Sequence, residues 1–174
     1  MLGGVMGLKK TSDPVAISFS IVEAVVDTFV QEQINLTLDI LNQEVFVVLA
    51  VDLDAGIPSN VAGLNTQTQM SLTTTSQTGV VLISNTNCIA EERNQIAVDP
   101  AVPGNSIFFR QSNGSTPQGN LPYIGIIATN NFFVQLKGNN NLTPRSGTGR
   151  VWGYRAKADS STYSALVASE VLSQ

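Results

Sequence analysis

Ile34-Asn35-Leu36-Thr37-Leu38-Asp39-Ile40 alternates large apolar with polar side chains. A period of two sets Ile34, Leu36, Leu38 and Ile40 on one face and leaves Asn35, Thr37 and Asp39 to water, the pattern of a half-buried β-strand. Upstream, Val15-Ala16-Ile17-Ser18-Phe19-Ser20-Ile21 has the same period, with small residues in the alternate positions. Between the two, residues 22–33 extend either strand or form one helical turn. Downstream of a connection at Leu41–Glu44, Val45-Phe46-Val47-Val48-Leu49-Ala50-Val51 offers no polar position at all. It reads as a strand buried on both faces.

Further strands are expected over 69–74, a less apolar segment suited to an edge, and over 79–84 and 106–111. Tyr123–Thr129 and Phe132–Leu136 form one long strand or two separated by Asn130-Asn131. In Arg150–Lys157, Val151, Gly153 and Arg155 face opposite to Trp152, Tyr154 and Ala156. Gly, Pro and Asn mark loops over 52–65, 97–105, 112–122 and 137–149. The tail places Tyr163, Leu166, Val167 and Val171 at helix-like spacing, as a short helix or an extended arm.

About eight strands with no alternating helices predict an all-β fold, an antiparallel two-sheet sandwich. The count is that of a single jelly roll with a short terminal arm or helix, and immunoglobulin-like sandwiches need similar numbers. The expected organisation is an apolar N-terminal arm (1–14), a β-sandwich domain (15–158) and a C-terminal tail (159–174). A chain of 174 residues is long enough for one substantial core.

Side chains that do chemistry are scarce. Histidine is absent, cysteine occurs once, and only 13% of residues are charged. A Ser/Cys–His nucleophile pair is therefore impossible, and no Lys adjoins a Ser in a strained turn. Cys88 reads as a small buried apolar side chain. Ser146-Gly147-Thr148-Gly149-Arg150 lacks the Lys-Ser/Thr ending of a phosphate loop and reads as a hairpin loop. Asp52 and Asp54 share a face at a strand end, where a hard cation would need further oxygens to complete its shell. A solvated loop mouth is the plainer reading. Glu91-Glu92 could flank a sugar with a distant acid, but one Trp and three Tyr give little aromatic platform. No catalytic, cofactor-binding or metal residue is assigned.

Charge is unevenly divided. Residues 1–99 carry three cations against eleven acids, a balance of −8, whereas residues 100–174 carry six cations against two acids, a balance of +4. This gives either two solvated faces of opposite sign or complementary subunit surfaces that steer association. Lys9-Lys10 is far short of the basic run that strong nucleic-acid binding demands. The start is apolar before it is basic, the reverse of a secretory leader. No transmembrane helix is expected, because the long uncharged stretches are rich in amides and hydroxyls. Leu2, Val5, Met6 and Leu8, interleaved with Gly3, Gly4 and Gly7, form a flexible apolar segment. It either folds back on its own sandwich or is pinned by neighbouring subunits. With Tyr163, Leu166, Val167 and Val171 these residues are the candidates for a subunit interface.

The segments Tyr123–Ile127, Phe132–Leu136 and Arg150–Arg155 look like the final strands of small viral structural proteins. In size, strand count and loop composition the chain resembles the single jelly-roll capsid proteins of icosahedral viruses. It lacks the Arg-rich arm of many eukaryotic ones, so capsids of prokaryotic or uncultured viruses are the better comparison. The resemblance implies a virion protein that assembles with copies of itself, and with other virion proteins, into an icosahedral shell. It implies no cofactor and no catalytic site. Two other classes are open: a filament subunit of phage-tube or pilus type joined by N-terminal strand exchange, and a small lectin-like binding module.

Overall fold

The computed structural model describes residues 7–113 and 121–173. Among them are ten strands: β1 (Leu8–Lys10), β2 (Val15–Val22), β3 (Val30–Asn35), β4 (Glu44–Asp54), β5 (Thr66–Thr73), β6 (Cys88–Val98), β7 (Ser106–Asn113), β8 (Gly125–Ile127), β9 (Asn131–Asn139) and β10 (Ser146–Ala158). One α-helix, α1 (Ser160–Leu172), closes the chain, capped by the Asp159 carboxylate, which accepts from the Thr162 N–H.

The strands form two five-stranded antiparallel sheets. In the first, β10 is flanked by β4 on one side and by β2 and the short β1 on the other, and β4 leads on to β8. The second runs β3-β9-β5-β6-β7. Four pairings define the winding: β2 with β10, β3 with β9, β4 with β8, and β5 with β6, all antiparallel. They are nested, first strand with last and innermost with innermost, as in a long hairpin rolled into a sandwich. That is a jelly roll, with β1, β7 and α1 added to it.

Phe19 of β2 meets Phe132 of β9 edge to face, ring centroids 5.9 Å apart, and so joins the two sheets. Around them Ile21, Phe46, Val51, Leu53, Met70, Leu72, Val134 and Leu136 are buried in one core. Leu49 has no partner on β10, where Gly153 pairs with Val48 and Trp152 with Ala50. This bulge shifts the parity of β4, so both Phe46/Val48 and Val51/Leu53 reach the core.

Several sequence expectations are corrected. The 69–74 segment belongs to β5, which is central in its sheet. Its outward Ser71 and Thr73 are buried, and Gln135 bridges to both, accepting from Ser71 Oγ at 2.7 Å and donating to Thr73 Oγ1 at 2.7 Å. Satisfied hydroxyls cost little to bury, so a polar strand can be central. Residues 79–84 are not a strand; they lie in the β5–β6 connection, where Val81 N–H donates to Ser71 Oγ. The alternation keeps its sides as far as Asp39, with Leu36 and Leu38 buried and Ile40 exposed, but the strand stops at Asn35 because Thr37 adopts a left-handed φ of 52°. β6 was not foreseen. Ser146–Arg150 is no hairpin loop but the start of β10.

Candidate functional site

The outer face of the first sheet is divided. At one end α1 lies over it: Tyr163, Leu166 and Val167, with Leu8 of β1, pack against Val45, Val47, Ala156 and Ala158. The spacing of i, i+3, i+4 puts the three helix residues on one side. Four of the interface candidates therefore meet the protomer's own sheet, half-buried, while Val171 is 52% exposed. Leu2, Val5 and Met6 lie outside the described residues.

The other end of that face is open, a shallow depression of about 360 Å³ between Ser18, Asp52, Asp54, Thr148, Arg150 and Trp152. β4 does bring Asp52 and Asp54 to one face, as their spacing requires. Register sets Arg150 opposite Asp52 and Thr148 opposite Asp54. The Arg150 guanidinium lies over the Trp152 ring at 5.8 Å and its Nε donates to Ser18 Oγ at 3.0 Å. Asp54 Oδ1 accepts the Gly56 N–H. Among the described residues no third His, Cys, Asp or Glu joins these two in a metal-holding group. Lys157 stands opposite Lys9 in the register and Lys10 caps the Tyr154 ring at 5.3 Å, a small basic corner that spacing alone could not assemble.

The remaining titratable groups are structural in their contacts. Glu91 and Glu92 point to opposite faces of β6, so they do not act as a pair. Glu92 faces into the sandwich, where its Oε2 accepts from Arg110 Nη2 at 3.0 Å and its Oε1 from the Ala55 N–H at 3.3 Å. Desolvation raises its carboxyl above the usual range, against the opposing pull of these hydrogen bonds. Glu23 is buried and accepts the N–H groups of Gly138 and Arg145, at 2.5 and 2.8 Å, fastening the end of β9 and the residue before β10 to the end of β2. Cys88 and Glu170 line a cavity of about 150 Å³ under α1, and burial pushes the Cys88 thiol up to about 12.

Sequence reading missed an exposed apolar strand. Every residue from Ala101 to Ser112 is exposed, including the strand residues Ile107 (59%), Phe108 (49%) and Phe109 (53%) of β7. Among the described residues β7 pairs only with β6 and forms the edge of the second sheet. The run Ile-Phe-Phe announces a strand; only the sheet order reveals that nothing among the described residues covers it.

Comparison with known proteins adds no relative: no protein-family model matches the chain, and a search of curated proteins found no significant match.

Proposed function

We propose that this protein is a shell-forming structural subunit, a virion capsid protein that assembles with copies of itself. The observation that carries the reading is the nested pairing of β2/β10, β3/β9, β4/β8 and β5/β6, the jelly-roll winding of the capsid proteins the sequence resembles. A fold hosts many functions, so two further features support this one. The depression on the first sheet is shallow, and of its two carboxylates Asp52 faces an arginine across the register and Asp54 a threonine, not an array of ligating groups. Among the exposed apolar residues, Ile107, Phe108 and Phe109 sit together on an outer strand, suited to another protein and not to a small molecule. The role is non-catalytic and its place is the virion. Genome contact falls to other components, since the basic corner of Lys9, Lys10 and Lys157 is small.

Purified protein examined by negative-stain microscopy beside light scattering tests the reading. Uniform closed shells are expected. Rods would replace the shell with the filament alternative, and a stable 18.5 kDa monomer at high concentration would overturn both.

A further inference from the structure

We infer that the outer edge of β7 around Phe108, which pairs with no other described strand, is a self-association edge, on which a second copy of the chain adds its own β7 antiparallel across a two-fold axis through Phe108. This rests on the assembly reading above and names one contact of that assembly.

Eight consecutive register pairs join β7 to β6 without a bulge, so the outer edge is long and regular. Proteins ordinarily guard such an edge with lysine, proline, a bulge or a covering loop. β7 has no proline and no lysine. Its one charge, Arg110, is turned away to Glu92 Oε2 and the Leu53 carbonyl. Strand alternation puts Ile107 and Phe109 on the outer face of the sheet and Phe108 on the inner one. A partner resting on one face would leave the other wet, whereas an added strand supplies neighbours to both.

The strand is its own complement. An axis through Phe108 sets Phe108 opposite Phe108 of the second copy, Ile107 opposite Phe109, and Ser106 opposite Arg110. Apolar meets apolar at the three central residues, polar meets polar at Ser106 and Arg110, and no like charges face each other. Moving the axis to Phe109 would instead oppose Phe108 to Arg110 and Ile107 to Gln111, a poorer match. Each of the three large side chains is about half exposed and contributes roughly 100 Å². Six of them supply about 600 Å² and the two strand backbones bring the total to about 1,000 Å², the threshold that a specific interface should reach. The product is one continuous sheet with five strands from each copy.

Cysteine cross-linking reads the register. In a Cys88→Ser background, Phe108→Cys places two thiols on directly opposed residues, whose Cα atoms in a paired sheet are about 4.5–5.5 Å apart. Phe109→Cys places them about 8 Å apart, beyond disulfide reach. Mild oxidation should give covalent dimers of the first variant and at least tenfold fewer of the second. Equal cross-linking at both positions, or none at either, overturns the proposal. Absence of cross-links in preparations that still form shells sinks this edge alone and spares the shell reading. Covalent dimers that never build shells do the reverse. As a second readout, Phe108→Lys opposes two ammonium groups on the axis and should weaken self-association at least tenfold in sedimentation. Far- and near-ultraviolet circular dichroism would show that the fold is kept. Unchanged association of a folded Phe108→Lys variant also overturns the proposal.

Discussion

The backbone N–H of Ala128 donates to Glu170 Oε1 at 2.7 Å, which ties the C-terminal helix to the chain just beyond β8. Glu170 is the one buried residue of α1, a carboxyl where an apolar side chain would be expected. Its burial raises the pKa, and hydrogen bonds from Ala128 and Thr129 oppose that rise.

The raised value fixes the sign of a pH effect. The folded chain holds this proton more tightly than the unfolded chain. Its contribution is thus fully present below the ordinary glutamate value of 4.5 and is lost as pH rises through the folded value. Glu170→Gln keeps an oxygen for Ala128 and removes the charge. Its melting temperature should exceed that of the unaltered protein by about 2–4 °C at neutral pH, and the difference should vanish toward about pH 4. A constant offset across that range would show that Glu170 is not the titrating group.

Arg110 and Glu92 make a second test. Glu92 is 1% exposed, so Arg110→Met leaves a desolvated carboxylate without its cation. The expected loss is about 2–3 kcal/mol at neutral pH in urea unfolding, below the cost for a fully enclosed pair because water reaches the arginine side. Without Arg110 the Glu92 pKa rises further, so the loss should shrink as the medium is acidified and the carboxyl becomes neutral. In a Glu92→Gln background the same Arg110→Met change should cost less than about 1 kcal/mol.

These two carboxylates show where the sequence was readable and where it was not. The sandwich was legible because alternation in Val15–Ile21 and the unbroken apolar run of Val45–Val51 report burial directly. Burial held even at Leu36 and Leu38, beyond the end of their strand. β5 was misjudged because a threonine or serine looks the same in sequence whether water or Gln135 satisfies it. The charge asymmetry was visible, but its meaning depended on winding. Rolling the hairpin brings early strands beside late ones. Glu44 then pairs with Arg155 at 3.1 Å, an acid from the first half with a cation from the second, whereas Glu92 and Arg110 meet simply because β6 and β7 are consecutive strands. Likewise Ile107, Phe108 and Phe109 announce a strand, and only the sheet order places that strand at an edge.

Cys88 should be nearly inert. Its thiol donates to the Ala90 carbonyl at 3.4 Å, and burial with the nearby Glu91 charge moves its pKa from 9.0 to about 12. Three orders less thiolate, partly offset by the greater nucleophilicity of a more basic sulfur, gives a rate about 30–60-fold below that of an exposed thiol. An aromatic disulfide reagent should label the native protein that slowly, with the full rate returning in urea. Labelling at the unfolded rate under native conditions would contradict the burial.

Gly153 carries the sharpest packing prediction. It sits on β10 opposite the Leu49 bulge, and a methyl group there would lie 2.5 Å from the Phe46 ring and against the Val47 carbonyl oxygen. Phe46 is 1% exposed and Val47 belongs to the strand backbone, so neither can retreat without shifting β4. Gly153→Ala should therefore destabilise by about 2–3 kcal/mol, an overpacking cost, despite alanine's better strand entropy. Gly79→Ala, with nothing within 4 Å of the added methyl, should change stability by no more than about 0.5 kcal/mol. Urea midpoints that rank the two variants in the opposite order would mean that the bulge does not bring β4 against β10 at this residue.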